Sequence, residues 1–236
     1  MPVPEIVAGP GEWLALVLLG ALTALDSVSW PQAMISRPLV AATLAGWIMG
    51  SPAAGFLCGA ALELMDMLHA PYGAARYPEP GPASVVAGSA YAAAGATTVG
   101  PLAAALLLGW ALAQVGGWSV QLQRRVNEHL LPDRTNLASR PREIEARHVL
   151  AMLVDGVRGA LLVGSFTVPA MLITGLSTLG EWEPAQTAYA ITAIVLTVAV
   201  ASGAAARRAA HGVQGWPYFM GGALLGLVLL WLGIGP

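Results

Sequence analysis

The sequence predicts an all-α polytopic membrane protein, and three observations predict it. Of the 236 residues, 56 % are hydrophobic and only 10 % are charged, against about a quarter charged in an ordinary soluble domain. The mean hydropathy is +0.67. The charges are also gathered rather than spread: residues 38–62, 80–123, 159–180, 184–206 and 209–236 carry none, and about 20 apolar residues suffice to cross the hydrocarbon core. Finally, these stretches are rich in Ala, Gly, Leu and Val, which suits close helix packing, and lack the alternation of a closed barrel. Lipid offers the backbone no hydrogen-bonding partner, so such segments are expected to be helical.

The same composition excludes other classes. A disordered chain needs the opposite balance. A net charge of −2 leaves no electrostatic footprint for nucleic acid. The single cysteine, Cys58, rules out an internal disulfide framework and a cysteine-rich zinc site. No histidine pair has metal-ligand spacing, and no glycine loop precedes a Lys-Ser/Thr pair. No cofactor is expected, and a transporter with its own nucleotide site is unsupported.

Taken in order, the N-terminal residues hold Glu5 and Glu12 but no arginine, which favours an outside position. Without a basic n-region, no secretory signal peptide is expected. A charge-free run then ends at Asp26, either buried or an end cap. Pro38 to Ser51 is apolar but only 14 residues long, about 21 Å as a helix against a core of about 30 Å. A second short piece runs from Ala53 to about Leu68, beyond Ser51-Pro52. Short Gly/Pro-interrupted segments form re-entrant hairpins or broken helices around a substrate site; two ordinary kinked spans are the plainer alternative. The block 80–123 is either two spans broken near Gly95–Pro101 or one long kinked helix.

Residues 124–147 hold Arg124, Arg125, Arg134, Arg140, Arg142 and Arg147, six of the 11 arginines. The positive-inside rule makes this a cytoplasmic loop. It divides the chain into a membrane half with re-entrant segments and a candidate site (1–123), the loop (124–147) and a second membrane half (148–236). In that second half one span near 149–176 leads out, and the turn with Glu181 and Glu183 lies outside. Residues 186–206 return, placing Arg207 and Arg208 inside. His148 and His211, near the inner boundaries, are read as solvated.

Glu63, Asp66, His69, Arg76 and Glu79 fall within 17 residues between two uncharged runs. On a helix Glu63 and Asp66 are i and i+3 and face the same way. In low dielectric two such carboxylates need a proton or a cation, and ionisable groups inside membrane proteins face cavities rather than lipid. Arg37 is placed either as the partner of a carboxylate such as Glu63 or at an interface. Pro71 to Pro82 holds four prolines and two glycines, which excludes a regular helix and leaves backbone groups for water, protein or a polar ligand. Tyr72 and Tyr77 add flat amphipathic faces suited to a sugar ring. An interfacial loop with snorkelling charges is the alternative. Asp155 and Arg158, again i and i+3, read as a structural ion pair.

In order, Ser36-Arg37-Pro38-Leu39-Val40, Gly46-Trp47-Ile48-Met49-Gly50, Gly59-Ala60-Ala61-Leu62-Glu63-Leu64, Tyr72-Gly73-Ala74-Ala75 and Pro78-Glu79 resemble the IIC membrane subunit of the mannose/fructose/sorbose family of the bacterial sugar phosphotransferase system. Trp216-Pro217-Tyr218-Phe219-Met220-Gly221 is similar to that family's C-terminal part. The resemblance implies an elevator-like transporter with re-entrant hairpins and inverted repeats, in the bacterial inner (plasma) membrane. It implies a IID membrane partner, inward movement of a hexose, and phosphorylation by a cytoplasmic IIB charged through IIA. No residue of IIC itself is phosphorylated, so the chain is a transport subunit and not an enzyme. The sugar-site role carries onto Glu63, then Arg37, Gly73 and Glu79; Asp66, Tyr72 and Arg76 join them from the polar cluster. Three departures stand out. Ser51 replaces the family's Asp, Tyr77-Pro78-Glu79 replaces Pro-Pro-Asp, and only 14 residues, Ala223 to Pro236, remain beyond the late motif and Gly222, about one helix fewer than in the family. These departures keep open a transport-inactive scaffold or regulator of the same fold, and the Glu63/Asp66 pair keeps open an unrelated ion-coupled carrier.

Overall fold

The computed structural model describes residues 7–67, 77–95, 99–130 and 141–177. Six helices and no strand occur among the described residues: α1 (Pro10–Val28), α2 (Pro38–Ile48), α3 (Pro52–Asp66), α4 (Pro80–Ala93), α5 (Val99–Leu130) and α6 (Pro141–Leu176). Five of the six begin on proline. The first N–H groups of a helix have no intrahelical acceptor, so proline loses nothing there and its fixed φ suits the first turn. This also corrects the expectation of irregular chain through residue 82. Pro80, Gly81 and Pro82 enter the first turn of α4, the one place where a helix tolerates proline without breaking its ladder.

The apolar block 80–123 is two helices. Gly95 ends α4 at φ +81, a left-handed conformation that only glycine adopts at no steric cost. Ala and Gly line much of α4, 12 of its 14 residues are buried, and all five other helices pack on it. Around it α2 and α3 form an antiparallel hairpin through a turn at Gly50, and α1 pairs with α6. At the α1–α6 crossing a Cβ on Gly20 would stand 3.0 Å from the carbonyl oxygen of Gly159. Backbones this close gain van der Waals contact, which drives association where lipid removes the hydrophobic drive.

Among the described residues three helices, α1, α5 and α6, are long and apolar enough to cross a membrane. Leu14, Leu18 and Leu22 of α1, and Leu153, Val157 and Leu161 of α6, stand on outer faces and are exposed. In water such stripes would promote association; against acyl chains they are the natural surface. α2, with 11 residues, reaches only about 16 Å, and α3, with 15, about 22 Å. Both fall short of a roughly 30 Å core. The arginine-rich segment is helical at its two ends, since α5 runs on to Leu130 and α6 starts at Pro141.

Candidate functional site

The site is built at the end of the bundle where α1 stops, α2 starts and α3 returns. Asp26, expected to be either buried or an end cap, is buried. Its carboxylate accepts N–H bonds from Ala33 (2.5 Å) and Ser36 (2.8 Å), and the Ser36 hydroxyl at 2.8 Å. It thereby fixes the connection from α1 to α2, in which Gln32 and Met34 sit at φ 58 and 64. Positive φ costs a non-glycine residue of order 1 kcal/mol, and the charged hydrogen bonds of Asp26 offset it. The connection delivers Arg37 to the start of α2.

Arg37 and Glu63 meet: Nη1 lies 3.2 Å from Oε1, with the guanidinium side chain 52 % and the carboxylate side chain 21 % exposed. The other carboxylate oxygen accepts the Leu39 N–H at 3.3 Å. Glu63 therefore ties the first turn of α2 to the last turn of α3. Asp66 lies one turn further along α3.

Glu79 sits deeper. The extended segment before α4 lies against α5, with the Glu79 N–H donating to the Ala113 carbonyl at 2.8 Å. Gly116 and Gly117 make room for it. A Cβ on Gly116 would come 2.9 Å from Glu79 Oε2, and one on Gly117 would collide with the Tyr77 carbonyl. Gly117→Val is therefore expected to push the 77–79 segment off α5. A lowered melting temperature in detergent, with Gly109→Ala as a milder comparison, is the check; an unchanged melt would rule out this close approach.

The Glu79 carboxylate is buried and paired with Arg158 of α6 through two bonds, Nη1 to Oε2 at 2.5 Å and Nη2 to Oε1 at 2.6 Å. Arg158 also donates to Asp155 Oδ1 (2.8 Å), Gln123 Oε1 (2.7 Å) and Ser119 Oγ (2.8 Å). The second oxygen of Asp155 accepts the Ser29 hydroxyl at 2.9 Å. The Asp155–Arg158 pair expected from spacing is thus present, but it is one side of a larger network. Two carboxylates share one fork-shaped guanidinium, a geometry suited to bidentate pairing. Burial of charge is tolerated only with such compensation. Sequence reasoning missed Gly116, Gly117, Ser119 and Gln123. The signal available was a run of small and polar residues at 116, 119 and 123 along one face of an otherwise apolar helix.

Beside this network lies a cavity of about 330 Å³, at the lower end of the range for small-molecule sites. Arg37, Asp66, Tyr77, Glu79, Gln121 and Arg124 line it, together with backbone and side chains of α1 and α5. Of the residues singled out from sequence as sugar contacts, Arg37, Asp66, Tyr77 and Glu79 are brought to one cavity. Glu63 stands behind Arg37. Tyr72, Gly73 and Arg76 lie outside the described residues, as do His69, Arg134, Arg140 and everything beyond 177. Carboxylates and an amide accept hydroxyl protons, a tyrosine ring packs on a sugar face, and guanidinium groups take anions. Among the described residues no group of His, Cys, Asp and Glu is placed to hold a metal ion.

A helical bundle with three helices long and apolar enough to cross a membrane, two short paired helices and a polar cavity beside buried charges has the build of a helical membrane protein. The particular family follows from comparison. Residues 12–185 match the family described as the PTS system sorbose-specific IIC component, and the chain belongs to that family of sugar-transport subunits. Among solved structures, one described as a membrane protein superposes with a TM-score of 0.71 at 20 % identity, covering 97 % of this chain and 92 % of that one. That likeness concerns the fold. Comparison with curated proteins gave no match.

Proposed function

We propose that the chain is the sugar-translocating IIC subunit of a phosphoenolpyruvate-dependent phosphotransferase system, multi-pass in the bacterial inner membrane. It moves a hexose inward beside a IID-like subunit. A cytoplasmic IIB protein, charged through IIA, phosphorylates the sugar and so traps it. The observation that carries this reading is the polar cavity in which Arg37, Asp66, Tyr77 and Glu79 converge. Asp66 accepts sugar hydroxyls, Glu63 holds Arg37 in place, and Tyr77 supplies the flat face.

Orientation follows from the same end of the bundle. α5 lines the cavity from Gly117 to Arg124 and runs on through Arg125 into the arginine-rich segment, at whose far end α6 begins. The positive-inside rule puts that segment in the cytoplasm, so the cavity opens inward. The α2–α3 hairpin then enters and leaves on the cytoplasmic side without crossing, a re-entrant element carrying three of the site residues. Movement of this hairpin and α4 against the α1–α6 pair is the elevator step that the reading requires.

Two experiments test it. In a Cys58→Ala background, Arg142→Cys should react with an impermeant thiol reagent only after the inner face is opened; labelling of intact cells overturns the orientation. The chain should also co-purify with a IID-like subunit, and that complex should bind mannose, fructose or sorbose. A complex that assembles and binds none of them favours the scaffold reading. A lone chain with full sugar affinity removes the partner.

A further inference from the structure

The cavity has two exposed arginines in its wall. Arg37 and Arg124 both line it, one from the start of α2 and the other from α5. Arg37 is oriented by a single contact from Glu63 at 3.2 Å, which leaves most of its five N–H donors available. Arg124 is exposed, and none of the described residues forms a hydrogen bond or ion pair with it. Deeper in, the Arg158 guanidinium is taken up by Glu79 and Asp155, which leaves Arg37 and Arg124 as the guanidinium groups on the described cavity wall. Gln121, one turn from Arg124 on α5, adds a neutral amide donor. Carboxylate acceptors and guanidinium donors thus share one cavity wall.

We infer that Arg37 and Arg124 form a phosphate-binding mouth that holds the phosphate monoester of the sugar once it has been phosphorylated. A monoester carries about −1.5 to −2 charge and three acceptor oxygens at neutral pH, and guanidinium groups match that geometry bidentately. The inference rests on the sugar-cavity reading above and adds to it a site for the product's charged group. A phospholipid headgroup presents related chemistry at a membrane surface, so the experiment separates the two sources.

The intact complex, held in a maltoside detergent that contains no phosphate, is titrated with mannose, with mannose 6-phosphate and with inorganic phosphate. The wild type is expected to bind the sugar phosphate more tightly than phosphate alone, with an affinity that falls as salt rises. Arg124→Gln should lower the ratio of sugar-phosphate to sugar affinity about tenfold or more, and Arg124→Lys should restore part of it. An unchanged ratio in Arg124→Gln overturns the inference, and so does an equal loss for both ligands. If anionic phospholipid abolishes sugar-phosphate binding while sugar binding persists, the arginines serve a headgroup and the inference fails. If the wild type binds the sugar phosphate through Arg124 yet binds no free hexose under any condition, the mouth stands and the sugar-cavity reading fails.

Discussion

Arg158→Met is expected to produce the largest loss of stability of any single change in the described chain. The substitution keeps much of the side-chain volume but leaves Glu79 and Asp155, 4 % and 1 % exposed, without their shared cation. Removing one partner of a buried ion pair costs about 3–5 kcal/mol, because the charge left behind is uncompensated. The complex should melt at a markedly lower temperature, or fail to assemble. Arg158→Lys should recover little, since an ammonium cannot reproduce the two-pronged pairing with Glu79 while still reaching Asp155, Gln123 and Ser119. Combining Arg158→Met with Glu79→Gln and Asp155→Asn removes the stranded charges and should recover a substantial part of the loss. A melt of Arg158→Met equal to wild type would show that the network does not hold α1, α5, α6 and the 77–80 segment together.

Asp66→Asn is expected to lower hexose affinity about ten- to a hundredfold with assembly intact. Charged hydrogen bonds contribute about 1.5–3 kcal/mol, and each 1.4 kcal/mol is tenfold. Asn keeps the size but replaces one acceptor oxygen by a donor group. Glu63→Gln should behave differently. Both oxygens of Glu63 are engaged, one by Arg37 and one by the Leu39 N–H, so its effect on the sugar passes through Arg37. Residues acting through one contact are non-additive: Glu63→Gln combined with Arg37→Gln should lose no more than the worse of the two alone, whereas Asp66→Asn should add to either. Isothermal titration of the assembled complexes reads all three. Full additivity of Glu63→Gln and Arg37→Gln would place Glu63 on the sugar directly, and wild-type affinity in Asp66→Asn would remove Asp66 from the cavity.

The sequence by itself determined the helical membrane character. It follows from local physics: long uncharged stretches have one solution in lipid. The shortness of α2 and α3, and the Asp155–Arg158 spacing, were legible for the same reason, since each depends on residues a few positions apart. The helix starts at Pro80 and Pro141 were not read from the sequence, although proline suits a first turn. The Arg37–Glu63 contact was among the alternatives because an ionisable pair in low dielectric needs a partner. Only the tertiary structure decided between that and an interfacial arginine, and between a capping and a buried Asp26. Only the tertiary structure joined Glu79 to Arg158, 79 residues away. It also turned Gly116 and Gly117 from two small residues in a long helix into the groove that seats the 77–79 segment. Periodicity records which residues share a face of one helix. It carries no record of which face of another helix they meet, and that meeting is settled by how closely small residues let the backbones approach and by which buried charges then find one another.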